Sequence, residues 1–443
     1  MDHDNGVIKF VESMKITGIY FSFDSKLQTD KNYEGVIDKI QNIVKLWKCR
    51  NISLLGRVQI AKTYIFSQVR FLTNFVKPAV EFLNDFKKIV TNYIWNGSEK
   101  VKRLSAIADY DEGGLRLPDI DAIIETQNIL WVKRYLCNKT HPWTHFFKIQ
   151  LKKLGDERLI FHRSFDLRLI TNSAMDEQHK DILSSWLKYN NSPIDSANIL
   201  DQQIFCNKDI LTRNGKSICY KNLIDKGIFY IKDLIGNNNL MTVEEAIAEK
   251  NLNNIEAMQY FSVLKCLTNH QKNLVTTAEP SNRSPQEKII FKLERENSKI
   301  IYWDLIKNKK ETPTSEDKIR HKFNIEVSQV EWHQIYTVPV CTIEMKLQSF
   351  QFSINHFYYF SNDKLHRIGK SQTPNCSFCK TEVETISHLF LDCTKIQCLW
   401  NFFNHILTQL DLYENVTNII KLMGFYTKAS DKKYETRKVR LKK

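Results

Sequence analysis

Three cysteines and one histidine near the carboxyl end of this chain have a spacing that suits one metal ion. Two residues separate Cys376 from Cys379, eight more precede His388, and a further four precede Cys393. A two-residue gap lets a tight turn aim two thiolates at one ion, and zinc takes four such ligands in a tetrahedron. The pattern predicts one structural zinc site. The alternative is chance, since the chain has ten cysteines, including Cys398 outside the pattern, and twelve histidines.

The second pair of ligands constrains the backbone around it. His388 and Cys393 lie five residues apart, which is roughly 140° around an ideal helix, so they cannot share one helical face. We therefore expect a helix to end between them. Residues 384–390 are typical of a short helix, and apolar residues from Ile396 onward predict a second helix that begins near Thr394.

Glycine and proline are scarce, which favours a mainly helical chain. The 443 residues include 13 glycines and 9 prolines, so few tight turns are available. Hydrophobic residues make up 42% of the chain. This is enough to bury the cores of about two to four folded domains.

The chain shows no pattern of export or membrane insertion. It has no run of about eighteen apolar residues, and residues 1–4 do not begin a signal peptide. We therefore expect an intracellular protein, in the nucleus or the cytoplasm, with no membrane partner. In that reducing environment the unspaced cysteines are expected to be free thiols. These are Cys49, Cys137, Cys206, Cys219, Cys266 and Cys341.

Positive charge is concentrated in two segments of a chain whose net charge is +14. Between Lys45 and Arg103, twelve Lys or Arg residues face three acidic ones; between Lys428 and Lys443, eight face two. The remainder is close to neutral. This footprint is typical of a protein that binds a polyanion. The alternative is a solvated helix face, which we favour for the C-terminal segment taken alone.

Apolar periodicity predicts a short β region followed by helices. Residues 8–23 alternate around Gly18 as strands do, but they lack enough partners to form a sheet. Asn96-Gly97 is typical of a helix C-terminus. The predicted helices cover residues 36–47, 54–69 and 82–93, followed by a turn-rich loop over 111–118 and a helix capped by Asp119.

The middle of the chain is helical and carries no recognisable chemistry. Thr242-Val243-Glu244-Glu245 has the pattern of a capping box. The polar stretch 268–288 is the best candidate for a linker, and 308–317 is a shorter one. We therefore place a domain boundary near residue 280.

Several segments follow one another in a recognisable order. They are Lys15–Phe21, Leu46-Trp47, Ser53–Lys62, Tyr93–Gly97, Asp109–Asp119 and Gly227–Leu234. The zinc segment adds Glu384-Thr385, His388-Leu389-Phe390 and Trp400 to its cysteines. Together they resemble the end of the palm, the thumb, and the C-terminal zinc-binding domain of non-LTR (long interspersed element type) retrotransposon reverse transcriptases. The resemblance covers roughly residues 8–425.

The resemblance implies a mainly α fold with a multi-helix thumb and linker. A small β remnant of the palm precedes these helices, and a CCHC zinc-binding domain follows them. We divide the chain accordingly. The regions are a residual palm end (1–38), a thumb-like basic helical bundle (39–103), a helical linker or connection region (104–279), the reverse-transcriptase zinc-binding domain (289–427) and a basic tail expected to be disordered (428–443).

The catalytic motif of this family is missing from the sequence. The family's polymerases hold two divalent metal ions with an aromatic-x-Asp-Asp motif and another upstream aspartate. No two aspartates are adjacent in this chain, and only fourteen residues precede Lys15, the point before which the family places the motif. We therefore expect a non-catalytic C-terminal fragment that binds no Mg²⁺ and does not polymerise DNA alone.

The resemblance also implies a nucleic-acid partner. In the family the thumb lies along the template and primer backbone, which requires cations that face phosphates. RNA or DNA of the template-primer type is then the expected partner, with a catalytic reverse-transcriptase half as a second. The alternative is that the charges only keep a helical bundle dissolved, with the stem of Arg57 packed on Trp47. The candidate contacts are Lys45, Lys48, Arg50, Arg57, Lys62 and Arg70.

Three interpretations of the function stay open. The first is a zinc- and nucleic-acid-binding fragment. The second is a retroelement-derived interaction module whose residues 119–265 dock other proteins, and the third is part of a longer active RNA-directed DNA polymerase with a misassigned start. The zinc domain itself is either structural only or, as the resemblance implies, in contact with template RNA. The aromatic run 357–360 is a candidate for base stacking, although core packing is favoured.

Overall fold

A computed structural model gives the fold. It describes residues 11–137, 141–192, 199–236, 239–278, 284–323, 332–337, 339, 342–409 and 418–423. Within these ranges the chain is mainly α-helical with a few short strands, which confirms the predicted fold class. Cys341 and the basic tail predicted at 428–443 lie outside the described residues.

Four short strands and a long series of helices follow one another along the described residues. The strands are β1 (Ser13–Ile16), β2 (Ile19–Ser22), β3 (Ile235–Gly236) and β4 (Asn239–Leu240). The helices are α1 (Ser25–Tyr33), α2 (Val36–Lys48), α3 (Leu54–Ile60), α4 (Phe66–Arg70), α5 (Val80–Trp95), α6 (Arg103–Ala106), α7 (Ile120–Cys137), α8 (Trp143–Leu154), α9 (Arg168–Thr171), α10 (Glu177–Tyr189), α11 (Lys221–Asp225), α12 (Val243–Lys250), α13 (Asn254–Cys266), α14 (Asn269–Thr277), α15 (Pro285–Arg295), α16 (Ser298–Lys309), α17 (Ser315–Phe323), α18 (Trp332–Thr337), α19 (Met345–Asn355), α20 (Asn362–Arg367), α21 (Thr394–Gln409) and α22 (Asn418–Met423).

The chain divides into two compact units. Unit 1 combines residues 1–120 with residues 306–443, and unit 2 consists of residues 121–305. The basic helical bundle and the zinc segment, far apart in the sequence, therefore belong to the same unit. In the part of the chain that the structure describes, no helix has both the length and the apolar character needed to cross a membrane.

A β-hairpin opens unit 1. β1 and β2 pair antiparallel, with Ile16 opposite Ile19, and the turn between them uses left-handed residues at Thr17 and Gly18. Asn32 on α1 ties the hairpin down, because its side chain accepts from the Tyr20 N–H at 3.0 Å and donates to the Tyr20 carbonyl at 2.7 Å. As expected, the described part of the chain gives these strands no partner beyond each other.

The basic bundle that follows contains the three predicted helical segments, with one departure. The segment predicted as one helix over 54–69 is α3 and α4 joined by a π-helical turn at Ala61–Ile65. Ser53 caps its start by accepting from the Gly56 N–H at 3.2 Å. Phe66 then packs edge-on against Phe86 of α5 at 5.1 Å. α5 ends at left-handed Asn96, as predicted.

The early and late segments of unit 1 contact each other directly. The Glu311 N–H donates to the Leu104 carbonyl at 3.1 Å. The Trp95 ring meets the Tyr358 ring edge-on at 5.9 Å. At Gly113, where φ is +78°, a Cβ would lie 2.7 Å from Cζ of Tyr336. A larger residue at this turn would therefore separate the two segments.

Unit 2 is organised around buried aromatic and polar side chains. Trp186 is almost fully buried, and its Nε1–H donates to the Ile160 carbonyl at 2.6 Å. His162 is fully buried; its Nε2 lies 3.0 Å from the Phe205 carbonyl and its Nδ1 accepts from the Ser164 N–H at 3.0 Å. These partners assign a neutral ring protonated at Nε2.

Capping boxes begin four successive helices in unit 2. The box predicted at Thr242 and Glu245 is present, and Asn253 with Glu256 forms another. Two more, which begin at Thr268 and Ser284, start α14 and α15. The stretch 268–288, interpreted as a linker, is therefore largely helical in its described residues.

Candidate metal centre and basic surface

The four predicted zinc ligands lie together in unit 1. The Sγ atoms of Cys376, Cys379 and Cys393 and a ring nitrogen of His388 are all within 4.8 Å of one another. Two of these separations are 3.8 Å, between Sγ of Cys376 and Sγ of Cys393, and 3.3 Å, between Sγ of Cys379 and Nε2 of His388. We call these four residues the Cys/His cluster.

The separations fit a zinc tetrahedron. With Zn–S bonds of about 2.3 Å and Zn–N bonds of about 2.0–2.1 Å, neighbouring sulfurs should lie about 3.8 Å apart, and a sulfur and a nitrogen about 3.6 Å apart. The two measured separations lie close to these values. The widest pair must approach by at most about 1 Å to reach the same geometry.

The first pair of ligands sits on a tight turn braced by a short β-bridge. The Cys376 N–H donates to the Glu382 carbonyl at 2.7 Å, and the Cys376 carbonyl accepts from the Lys380 N–H at 3.0 Å. Lys380 is left-handed, with φ at 65°. Inside the turn, the Phe378 N–H points at Sγ of Cys376 at 3.4 Å. The backbone therefore already donates toward a sulfur that becomes negative in a metal-bound state.

The second pair is brought together by a π-helical turn over His388–Asp392. The Cys393 N–H donates to the His388 carbonyl at 2.9 Å, five residues back, so the two residues are one turn apart. Cys393 itself is extended, and α21 starts at Thr394. The helix break predicted between these ligands is confirmed, whereas the π-helical turn was not foreseen.

Glu384 links the cluster to α20. Its carboxylate accepts from the backbone N–H of Ser377 at 2.7 Å and from that of Asn362 at 2.9 Å, and it is almost fully buried. Burial opposes its charge, but the hydrogen bonds from Ser377 and Asn362 outweigh burial and lower the pKa of Glu384. Sequence reasoning identified this residue only as part of a resemblance.

The cysteines of the cluster have unlike surroundings. Cys376 and Cys393 are buried with Leu389 in one small apolar cluster, whereas Cys379 is half-buried. Burial raises the pKa of the Cys376 thiol. Hydrogen bonds from the Thr381 side chain and from the backbone lower the pKa of Cys379 to about 5. Trp400 links α21 to the π-helical turn, because its Nε1–H donates to the Phe390 carbonyl at 2.8 Å.

The aromatic run 357–360 is mostly core. Phe357 and Tyr359 pack against buried residues, and burial raises the pKa of Tyr358 strongly. Phe360 differs, because 42% of it is exposed and Lys100 lies over its ring at 5.0 Å. The preferred core interpretation therefore holds for three of the four residues.

The predicted nucleic-acid contacts separate into two groups. Lys45, Lys48 and Arg50 are exposed around the end of α2, and Arg70 is exposed at the end of α4. Arg50 lies over the Trp47 ring at 4.5 Å, and Trp47 meets half-exposed Tyr64 at 5.4 Å. We call Lys45, Lys48, Arg50, Trp47 and Tyr64 the α2 surface.

The other two predicted contacts are half-buried. Arg57 is half-buried, and its Nη1 donates to the Ile94 carbonyl at 3.3 Å near the end of α5. Lys62 is also half-buried, and burial, with the nearby Arg116 guanidinium, lowers its pKa. These two cations are therefore less exposed than Lys45, Lys48 and Arg50 of the α2 surface.

Sequence reasoning missed a basic groove beside the hairpin. It has a volume of about 570 Å³ and contains three lysines, Lys15, Lys31 and Lys39, against one acidic residue, Glu34, together with Phe71, which is 52% exposed. Its walls come from the hairpin, α1, α2 and the end of α4. The local charge count could not find it, because these lysines precede the basic segment and come together only through packing.

The geometry of the Cys/His cluster agrees with a comparison at the level of protein family. Residues 319–400 match the family described as zinc-binding in reverse transcriptase. This range contains all four cluster residues, so the class of domain is a reverse-transcriptase zinc-binding domain.

A more distant comparison extends beyond that domain. The chain is 21% identical over 215 residues to the uncharacterized 149 kDa protein of transposon TX1 from Xenopus laevis. The alignment covers 46% of this chain but only 16% of that relative. Both matches support the predicted relationship to the C-terminal part of a retrotransposon reverse transcriptase.

Proposed function

We propose that the chain binds one structural zinc ion through Cys376, Cys379, His388 and Cys393, and binds nucleic acid through the α2 surface and the neighbouring basic groove of unit 1. The convergence of four ligand atoms within 4.8 Å carries the zinc assignment. Four protein ligands fill a tetrahedral ion and leave no open position for a substrate, as in structural rather than catalytic zinc sites.

Metal analysis of the purified chain tests the zinc assignment. We expect one equivalent of zinc in protein prepared without chelator, and loss of most of it in Cys376→Ser. Cys398→Ser is the matched control, because Cys398 is exposed and lies outside the cluster. A wild-type content far below one equivalent, or equal loss in both variants, contradicts the assignment.

The α2 surface supports the nucleic-acid role. Its cations are exposed, and its two aromatic rings lie among them. Cations contact phosphates, and aromatic faces stack on bases without reading sequence. RNA or single-stranded DNA of any sequence is therefore the substrate class that this surface suits. The lysines of the basic groove add charge from the hairpin side of α2.

Salt dependence is the sharpest test of this role. If the four exposed cations Lys45, Lys48, Arg50 and Arg70 each contact one phosphate, the logarithm of affinity falls against the logarithm of salt concentration. The expected slope is about −4 for duplex DNA and about −3 for single strands. Fluorescence anisotropy of a labelled oligonucleotide gives the slope directly. A flat salt response overturns the role.

Charge reversal locates the surface. The double variant Lys45→Glu/Lys48→Glu should weaken binding at least tenfold and reduce the steepness of the salt slope by about two. Lys208→Glu/Lys299→Glu reverses two exposed lysines of unit 2 and is the matched control. Equal loss in both double variants would indicate that only net charge matters.

A second contact area is exposed beside the Cys/His cluster. Phe378 is 54% exposed at the tip of the cysteine turn, and Phe360 is 42% exposed under Lys100. The two stretches are adjacent, because Nδ2 of Asn362 donates to Oγ of Ser377 at 3.0 Å. Replacing both rings by alanine should cost about 1–3 kcal/mol per stacked base for single strands. Phe146→Ala, at an exposed ring of unit 2, is the control.

We expect no nucleotide transfer by this chain alone. The sequence contains no pair of adjacent aspartates with which the related polymerases hold Mg²⁺. Incubation with template, primer, nucleotides and Mg²⁺ should therefore give no incorporated nucleotide. Robust incorporation by the pure chain would contradict this expectation.

A further inference from the structure

Glu384 lies in the sequence between the two pairs of the Cys/His cluster, and it is almost fully buried. It is not one of the four residues whose ligand atoms converge. Burying a carboxylate costs several kcal/mol unless nearby groups donate hydrogen bonds to it. The donors around Glu384 come from the cysteine turn and from α20, so the side chain connects protein groups on two sides of the cluster.

Both oxygens of the carboxylate accept hydrogen bonds. Oε2 accepts from the Ser377 N–H at 2.7 Å, and Oε1 accepts from the Asn362 N–H at 2.9 Å. Nδ2 of Asn362 lies 3.2 Å from Oε2, and it also donates to the Asn375 carbonyl at 2.9 Å. Hydrogen bonds to a charged acceptor are roughly twice as strong as neutral ones. The carboxylate therefore joins the turn between Cys376 and Cys379 to the first residue of α20.

The backbone fixes the point from which the carboxylate reaches the turn. The Glu384 N–H donates to the Pro374 carbonyl at 2.8 Å, and the Glu384 carbonyl accepts from the Asp363 N–H at 3.3 Å. One residue earlier, Val383 forms an antiparallel β-bridge with Asn375. Glu384 thus lies on a segment that is paired with the start of the cysteine turn.

The Ser377 N–H is held differently from its neighbours in the turn. The N–H groups of Cys376 and Lys380 donate to backbone carbonyls, and that of Phe378 points at Sγ of Cys376. The Ser377 N–H instead donates to a side chain that lies seven residues further along the chain. The path of the backbone between the two sulfurs therefore depends on Glu384.

The next residue, Thr385, contacts the second pair of the cluster. Its Oγ1 accepts from the His388 N–H at 3.1 Å, and its carbonyl accepts from the Leu389 N–H at 2.9 Å. These bonds start the turn that carries His388. Two adjacent side chains, those of Glu384 and Thr385, therefore hold the backbone of one ligand pair each.

We propose that Glu384 is a positioning residue of the zinc site, an inference that rests on the proposed zinc binding. Its carboxylate fixes the turn of Cys376 and Cys379 relative to the segment that carries His388, so less conformational entropy is lost when the ion binds. Groups outside the ligand set that orient the ligands typically change metal affinity about 10–100-fold. Glu384 accordingly sets the affinity for zinc without being a ligand.

Zinc affinity of the full-length variants tests the proposal. Competition with a chromophoric zinc chelator gives the dissociation constant. Glu384→Ala removes both acceptors and should weaken zinc binding about 10–100-fold. Glu384→Gln keeps one acceptor oxygen and should weaken it about threefold to tenfold, the usual size for a lost hydrogen bond. Glu382→Gln, the same change at an exposed residue of the same turn, is the matched control and should stay within about twofold of wild type.

Asn362→Ala extends the test to the other side of the carboxylate. It removes the side-chain donor at Oε2 and keeps the backbone N–H that donates to Oε1. We expect a loss of affinity similar to that of Glu384→Gln. Circular dichroism at saturating zinc checks that each variant is folded. If Glu384→Ala does not fold, Glu384→Gln and Asn362→Ala decide the outcome.

Cobalt(II) in place of zinc gives a measurement of the ligand set itself. The visible spectrum of bound cobalt depends on its ligands and their geometry. At saturating cobalt, wild type and Glu384→Gln should have the same spectrum, because the three sulfurs and the imidazole nitrogen are unchanged. Cys379→Ser, which replaces a proposed ligand, should change the spectrum and serves as the reference.

Three results overturn the inference. They are unchanged zinc affinity in both Glu384→Gln and Asn362→Ala, equal losses in Glu384→Gln and Glu382→Gln, and an altered cobalt spectrum in Glu384→Gln. A wild-type chain that holds far less than one equivalent of zinc overturns the zinc site itself. The two failures are therefore distinguished by the metal content of the wild-type protein.

Discussion

Unit 2 buries Trp186 and His162 with their polar atoms hydrogen-bonded to backbone groups, and it starts four helices with capping boxes. The Cys/His cluster of unit 1 is buried with Leu389 in a small apolar cluster, and Tyr359 and Phe390 pack both on it and on a larger core that includes Leu391. It differs from unit 2 because four residues of metal-ligand type meet around one point. We therefore expect order at the cluster to depend on a bound ion, and order in unit 2 not to.

Removing zinc should give the largest difference between the two regions. Structural zinc sites contribute about 10–16 kcal/mol of apparent binding free energy, which is lost with the metal. With chelator, or in Cys376→Ser, we expect residues 374–396 to lose protection in hydrogen exchange while unit 2 keeps its own. Cys398→Ser should behave like wild type. Full protection of residues 374–396 without metal would contradict the expectation that this region needs zinc to be ordered.

Truncating the core of unit 2 should give the reverse result. Trp186→Ala removes a buried indole and its hydrogen bond to Ile160, at a cost of about 3–5 kcal/mol. Urea denaturation measures the loss, and the zinc content should not change. Phe146→Ala, at a ring that is 68% exposed, should stay within about 0.5 kcal/mol of wild type. Loss of zinc in Trp186→Ala would show that the regions are not independent.

Acid should destabilise unit 2 through His162. Burial lowers the pKa of His162 to about 4, below the value of about 6.5 in an unfolded chain. The unfolded state therefore binds the proton first. Stability is complete above pH 6.5 and falls as the pH drops toward 4, by up to about 3 kcal/mol. Hydrogen exchange of unit 2 between pH 7 and pH 4.5 should show this loss.

His162→Gln separates this effect from the acid response of unit 1. Burial also lowers the pKa of His356, in unit 1, to about 4. The variant should therefore flatten the pH dependence of exchange in unit 2 and leave that of unit 1 unchanged. A pH dependence in unit 2 that persists in the variant would show that another group is responsible.

The contact between Trp95 and Tyr358 should give the smallest effect. A double-mutant cycle with Trp95→Leu and Tyr358→Leu should yield a coupling of about 0.5–1.5 kcal/mol, the usual size for an aromatic pair. Urea denaturation of the four proteins measures it. If the free-energy losses of the two single variants simply add up in the double variant, this contact does not stabilise the basic bundle against the zinc segment.

The cluster was predictable because its information is local. The spacing of Cys376, Cys379, His388 and Cys393 selects, without reference to any distant residue, the four side chains whose sulfur and nitrogen atoms lie within 4.8 Å of one another in the fold. The π-helical turn over His388–Asp392 was not predicted. The helical period excluded one shared helical face for His388 and Cys393. It could not show where between them the helix ends or which geometry that end takes.

Charge along the chain does not show which cations also contact protein groups. Arg57 was predicted to contact phosphate, and this stays a prediction; in the fold its guanidinium donates to the Ile94 carbonyl of α5, 37 residues away. Lys15, Lys31 and Lys39 line one groove, although they lie outside the segments of the sequence in which positive charge is concentrated. The capping boxes at Thr268 and Ser284 did have a sequence signal, the same one that identified Thr242, and the polar composition around them obscured it.

The discontinuous make-up of unit 1 has a consequence for synthesis of the chain. Leu104 and Trp95 leave the ribosome long before Glu311 and Tyr358, their partners. At 5–20 residues per second, residues 121–305 take roughly ten to forty seconds to translate. During that interval the nascent basic bundle exposes the apolar surface that the later segment covers, so a chaperone has a defined period in which to bind it.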